Sequence, residues 1–220
     1  IELGLCNVVV CAVPSRPRPR PNNPKGPRMD WGALGSSSME WGSPQAEFDV
    51  PHGNVAQNAG YAMIAQRYAA EFGWDERALA KIAADQRRSA NATPNAVFRD
   101  VPITIDDVLA SKVVADPIHV LEIVMPCQGG TAIVVTSRER ATRCPHRPVF
   151  VTGFGERLVY KTHTYARDMI RTPIAHAAEQ AFTMAGVDRS QVDACQLYDC
   201  YTITVLLTLE DAGFCEKGEG

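Results

Sequence analysis

The sequence predicts an α/β layered fold, with helices packed on a largely parallel sheet. Three observations carry that prediction. Short apolar runs of strand type recur at residues 7–13 (NVVVCAV), 130–136 (GTAIVVT) and 148–154 (PVFVTGF). Amphipathic helical stretches alternate with them, each bounded by a capping residue or a glycine. The last 28 residues or so read as a strand, a polar corner and a nearly all-apolar helix. A chain of 220 residues can bury a substantial core and form one large or two small domains.

In chain order, residues 1–5 read as the end of a helix and 7–13 as a strand. Residues 14–43 are a different material, SRPRPRPNNPKGPRM followed by Gly and Ser, in which proline blocks both helix and sheet. Arg16, Arg18, Arg20, Lys25 and Arg28 of this loop stand out in a slightly acidic chain. They are read as a solvated loop or as a contact to an anionic ligand or a partner subunit. Residues 54–72 place Tyr61, Ile64, Tyr68 and Phe72 at helical spacing, and Gly73 ends that helix. Asp75 caps a second helix to about residue 91, with Leu79, Ile82 and Ala83 on its inner face. Thr104 caps a short helix to Ser111. Residues 130–136 form a buried strand, and Ser137 caps the charged turn SRERA. After the strand at 148–154, Pro173 suits the first turn of a helix running to Met184, closed by Gly186. Residues 14–126, rich in helices and poor in strands, read as an insertion over the sheet.

Composition excludes several classes. A net charge of −3 argues against nucleic acid or an anionic membrane as main partner. No apolar run approaches the roughly 20 residues that span a bilayer. Seven cysteines with no paired framework fit reduced thiols in a cytoplasm. Cys144-Pro-His146 supplies only two ligands in one loop, so no metal site is expected there, and His163 and His176 lack partners in sequence.

The corner of the last segment holds Tyr198, Asp199 and Cys200, between the end of a strand and the start of a helix. Ligands bind at such strand ends in open α/β sheets. A free phenol is a poor base at neutral pH. Helix N–H groups and the helix dipole would favour its ionised form, and the same N–H groups can polarise a thioester oxygen. Asp199 is read as the helix cap or as a reacting group. Cys200 is read as a proton-transfer group or as a buried thiol. A strand-end ring with a bonded hydroxyl is the competing reading of Tyr198.

The segments PHGNVAQNAGYAMIAQRYAAEFG, DERALAKIAADQRRSAN, PCQGGTAIVVTSRERA and QLYDCYTITVLLTLEDAGFCEKGEG together resemble the thiolase superfamily. The branch is the lipid-transfer, sterol carrier type, similar to the steroid side-chain aldolases. The resemblance implies a thiolase-like layered fold, of which this chain is expected to cover only the middle. Residues 1–13 would end the first-half core, 14–126 insert over the active site, 127–146 complete that half, and 147–220 begin the second. The sterol carrier thiolases have histidine where this chain has Tyr198, and tyrosine there is similar to the aldolases.

The implied activity is retro-aldol cleavage of a bulky β-hydroxyacyl-CoA, such as one with a sterol side chain, with Tyr198 as acid/base. Two alternatives stand beside it: an acetyl-CoA acyltransferase using a cysteine upstream of this chain, and a non-catalytic acyl-CoA-binding or scaffold subunit. By the same resemblance His52 lines the acyl pocket, with a surface-loop histidine as the competing reading. Cys127 and Gln128 would approach the pantetheine arm, with turn chemistry as the competing reading of the glycines that follow them. Coenzyme A enters as part of the substrate and no other cofactor is expected. The expected partners are a second copy of the chain, forming a homodimer or larger assembly, and a small zinc-bearing OB-fold protein.

Overall fold

The structure is a computed structural model that describes residues 1, 3–15, 45–54, 57–73, 75–125, 129–160 and 165–220. The Arg/Pro loop with Arg16, Arg18, Arg20, Lys25 and Arg28, and also Cys127, Gln128 and His163, lie outside the described residues. The elements in chain order are β1 (Val8–Ser15), α1 (Gln57–Phe72), α2 (Glu76–Ala92), α3 (Ile105–Ala110), β2 (Val113–Ala115), β3 (Ile118–His119), β4 (Gly129–Thr136), α4 (Arg138–Ala141), α5 (Ile174–Ala185) and α6 (Thr202–Asp211). The described residues fall into two units, drawn from Ile1–Gly26 with Met125–Thr152 and from Pro27–Val124 with Gly153–Gly220.

The first unit is a two-stranded antiparallel ribbon. β1 pairs with β4 in the register Val8 to Thr136 through Val13 to Thr131. Near-continuous apolar runs of this kind belong to strands covered on both faces. Here Val10, Val13, Ile133 and Val134 remain mostly exposed. The expectation of a buried strand at 130–136 is therefore corrected: the strand forms, but nothing among the described residues of its unit covers it. The expected helix end at 1–5 is corrected too. Gly4 N–H donates to the Ile1 carbonyl at 3.0 Å, closing a single turn in which Gly4 takes a φ of 73°.

The second unit is built on α6. Its sequence is apolar all round, and such a helix must be covered all round. Ile203, Val205, Leu206 and Leu207 are all buried. Ala62, Ala65 and Tyr68 of α1, Leu79 of α2, Ile118 of β3 and Ile170 pack into the same core. Each fully buried Leu or Ile contributes about 1.5–3 kcal/mol. A satellite cluster joins Ala80 and Ala83 of α2 to Val108 of α3.

Local signals set the helix ends. Gly73 leaves α1 at a φ of 90°, and Asp75 accepts from Arg77 N–H at 2.9 Å to start α2. Thr104 and Asp107 form a reciprocal capping box on α3.

The strand expected at 148–154 forms no ladder among the described residues. Its glycine, Gly153, and the following Gly155 serve another purpose: a Cβ on Gly155 would sit 1.9 Å from the Ala177 carbonyl oxygen, and one on Gly153 2.2 Å from that of Ala181. The segment from Gly153 onward lies directly against the backbone of α5, where only glycine fits. The ladders among the described residues are antiparallel, β1 with β4 and β2 with β3, so no parallel pair is seen there.

Candidate active site

The Tyr198 corner is assembled from three parts of the second unit. From one side, Val124 N–H donates to the Cys200 carbonyl at 3.0 Å, and Ile123 bridges Tyr201 in antiparallel fashion. From another, α1 presents Asn58 and Tyr61, three residues apart and so on one helix face. The Tyr201 hydroxyl donates to Asn58 Oδ1 at 2.5 Å. The Tyr61 and Tyr201 rings stack with centroids 4.0 Å apart at 22°. The Cys200 thiol donates to the Tyr61 hydroxyl at 3.5 Å and lies 3.4 Å from Thr204 Oγ1. From the third part, Gln86 of α2 donates its amide to Asp199 Oδ2 at 3.2 Å.

Electrostatics separates these groups. Burial, then the Cys200 contact, holds the Tyr61 phenol well above the usual phenol range. Burial, then Cys200, pushes Tyr201 up to about 12. Both stay protonated at neutral pH as neutral rings, Tyr201 donating to Asn58 and Tyr61 accepting from Cys200. Tyr198 differs in its exposure. It is 75% exposed, and its hydroxyl has no hydrogen-bond partner among the described residues. Two readings of the corner change accordingly. The cap of α6 is Tyr201, with no side-chain hydrogen bond, so Asp199 does not cap it. Asp199 stands two residues too early and spends its carboxylate on Gln86. Tyr198 stands three residues before the cap, while the first turn at Thr202 and Ile203 is buried. Helix-dipole support fades within one turn, and Tyr198 lies outside the first turn of α6.

Of the other expected site residues, Cys200 is buried at 6% exposure in the thiol–phenol contact. His52 ends a short 3-10 turn, Val50–His52, and is exposed. Among the described residues no hydrogen bond or ion pair joins it to Tyr198, Asp199 or Cys200. Cys144, His146 and His176 are exposed, and among the described residues no group of three or more His, Cys, Asp or Glu is placed to hold a metal. Among them, too, no helix is long and apolar enough to cross a membrane.

Sequence reading overlooked Asn58, Tyr61 and Tyr201. Tyr61 was legible as part of an apolar helical face, and its hydroxyl carried no separate signal. A second polar cluster was overlooked at the other end of α6. The buried Glu210 carboxylate accepts from Tyr68 OH at 2.5 Å, Gly218 N–H at 2.9 Å and Gly220 N–H at 3.2 Å. Its Oε2 lies 3.1 Å from Lys217 Nζ, an ion pair outside hydrogen-bond geometry. Lys217 also bonds Asp211 at 3.0 Å, and Asp211 accepts from Thr172 N–H at 2.7 Å. The motif LEDAGFCEKGEG thus ties its own glycine-rich end back beneath α6.

This arrangement can be set against known proteins. Residues 155–220 match the family described as Thiolase C-terminal domain-like. The steroid side-chain-cleaving aldolase of Thermomonospora curvata is 31% identical over 226 residues, covering 100% of this chain and 56% of that protein. The 17-hydroxy-3-oxo-4-pregnene-20-carboxyl-CoA lyase of Mycobacterium tuberculosis is 33% identical over 177 residues, 78% of this chain and 46% of that one. Among solved structures, the Ltp2-ChsH2(DUF35) aldolase superposes with a TM-score of 0.82 at 30% identity, covering 99% of this chain and 55% of the other. The chain spans about half the length of the curated relatives it matches. It is similar to the thiolases and to the steroid side-chain-cleaving aldolases, and has a thiolase-like α/β fold.

Proposed function

We propose that the whole protein cleaves a carbon–carbon bond in a bulky β-hydroxyacyl-CoA by retro-aldol chemistry, with Tyr198 as the acid/base group. The observation that carries the reading is the contrast at the corner. Cys200 and Tyr201 are locked into the core, while the Tyr198 phenol, two residues away, is left exposed and has no hydrogen bond among the described residues. A structural tyrosine would have its hydroxyl bonded, as Tyr201 and Tyr68 do. The names of the similar proteins, an aldolase and a carboxyl-CoA lyase, support the same class of reaction.

In this mechanism Tyr198 acts as its phenolate and takes the proton of the β-hydroxyl. The Cα–Cβ bond breaks, and the β-carbon departs as a ketone or aldehyde. The bonding pair passes to the thioester as an enolate, which takes the proton back from the Tyr198 phenol at Cα, giving a shortened acyl-CoA and regenerating the phenolate. No redox partner is consumed. Asp199, held by Gln86, and the Cys200 thiol border the reacting tyrosine. His52, Cys127 and Gln128 are proposed to line the acyl and pantetheine path. The protein is proposed to work as a homodimer or larger assembly with a small zinc-bearing OB-fold subunit, and the similarity to the Ltp2-ChsH2(DUF35) aldolase supports a second subunit.

The test is product analysis. The full-length protein, alone and with a co-expressed neighbour, is incubated with a steroid β-hydroxyacyl-CoA, and both products are followed by mass. Equal amounts of a carbonyl product and a shortened acyl-CoA are expected. Release of acetyl-CoA from a β-ketoacyl-CoA only when free coenzyme A is added would replace the lyase by a thiolase.

A further inference from the structure

We propose that Tyr61 is the positioning residue for Tyr198, an inference that rests on the retro-aldol reading above. Tyr198 has no hydrogen bond among the described residues, so its phenol is placed by the backbone that carries it. That backbone is fixed at Cys200 and Tyr201. On one side the grip is main-chain, from Ile123 and Val124. On the other it is α1, and there Tyr61 does two things at once. Its ring stacks on Tyr201 at 4.0 Å, and its hydroxyl receives the Cys200 thiol at 3.5 Å.

Asn58, on the same face of α1, fixes the far end of the Tyr201 ring through its hydroxyl. Two successive residues of the corner are thereby clamped to one helix. Only Asp199, bonded to Gln86, separates that clamp from the reacting tyrosine. Tyr61 also lies close enough for the Tyr198 phenol to act on it electrostatically. A half-buried core site would accept leucine. A stacked aromatic pair adds about 0.5–1.5 kcal/mol beyond burial and fixes ring geometry as well, which a site that must hold a group to within about 0.5 Å requires.

The clamp is a property of the ring more than of the hydroxyl, because a thiol–phenol contact at 3.5 Å is weak and the stack is close. The experiment uses Tyr61→Phe, Tyr61→Leu and Tyr61→Met in the full-length protein with its partner. Each is assayed for kcat and KM and checked for a cooperative melt. In parallel, 3-fluorotyrosine is placed at position 198 and its fluorine resonance recorded.

Tyr61→Phe should keep kcat within about 3-fold of wild type. Tyr61→Leu and Tyr61→Met should lower kcat by about 10-fold or more, with KM within about 3-fold. The resonance should shift or broaden in these two variants and not in Tyr61→Phe. An unchanged kcat per folded site in the Leu or Met variant, with an unmoved resonance, would overturn the proposal. If one of the two fails to fold, the other decides. If the wild-type protein cleaves no β-hydroxyacyl-CoA, the retro-aldol reading falls by itself, and the resonance still decides whether Tyr61 positions Tyr198.

Discussion

The β1–β4 ribbon and the α6 core are written in the same apolar alphabet and end in opposite states. Val10, Val13, Ile133 and Val134 of the ribbon are exposed, whereas Ile203, Leu206 and Leu207 of α6 are buried. The difference is not hydrophobicity. α6 is met by α1, α2 and the Ile118 region, and its buried Glu210 carboxylate is bonded by Tyr68 and two backbone N–H groups. Each strand of the ribbon pairs along one edge, and no second layer covers it among the described residues of its unit. Apolar pattern states that a segment seeks cover. Only the surrounding chain states whether cover is present, and a two-stranded ribbon alone is marginally stable in water.

The sharpest way to break this comparison is at Glu210. Glu210→Ala removes the acceptor for Tyr68, Gly218 and Gly220 and leaves the Lys217 ammonium facing Asp211 alone. Breaking such a buried pair from one side costs about 3–5 kcal/mol. Denaturant unfolding of the full-length protein should show a loss of that size. A loss under about 1 kcal/mol would mean that the cluster is not part of the folded core.

A matched pair of truncations sharpens it further. Ile203→Ala should cost about 2–5 kcal/mol, as expected for a fully buried isoleucine. Ile133→Ala, at a mostly exposed position, should stay within about 0.5 kcal/mol. Equal costs at the two positions would show that the ribbon is covered in the assembled protein.

The smallest effect is a pH dependence. Tyr61, Tyr68 and Tyr201 all have raised phenol pKa values, with burial the first cause in each. A group whose folded pKa is raised contributes stability that is present below its unfolded pKa and lost as pH rises through the folded value. For Tyr201 that window runs from the ordinary phenol value of 10.0 to about 12. Thermal melts should therefore fall by a few degrees, on the order of 3 °C, between pH 9 and 11. Tyr201→Phe should flatten that slope. A melting temperature that rises over this range would contradict the burial of these phenols.

What the sequence disclosed was local. Gly73, Asp75, Thr104 and Gly186 each announce a helix end through a neighbour one turn away, and all four stand where expected. The all-apolar α6 announced its own burial. What it concealed was nonlocal or degenerate. PVFVTGF looks like a strand, yet its glycine serves close packing against α5, a helix about 20 residues on. Asp199 looks like a cap because Asp before a helix usually is one, but the helix starts later, at Thr202. Asn58 and Tyr61 reach the corner across roughly 140 residues of chain, a distance over which no spacing rule operates. Tyr198 was legible as an unusual group at a corner. The clamp that holds the corner was not.

The comparison comes to a point at Tyr198, the exposed phenol set beside two buried ones. The most direct measurement is single-turnover cleavage of a β-hydroxyacyl-CoA by the full-length wild-type protein and its Tyr198→Phe variant, each with and without the proposed second subunit. Loss of one exposed hydroxyl should leave the melting temperature unchanged and lower the cleavage rate by about 10²–10⁴-fold, the usual contribution of a general acid–base group. A Tyr198→Phe variant that folds normally and cleaves within about 3-fold of wild type would contradict the account.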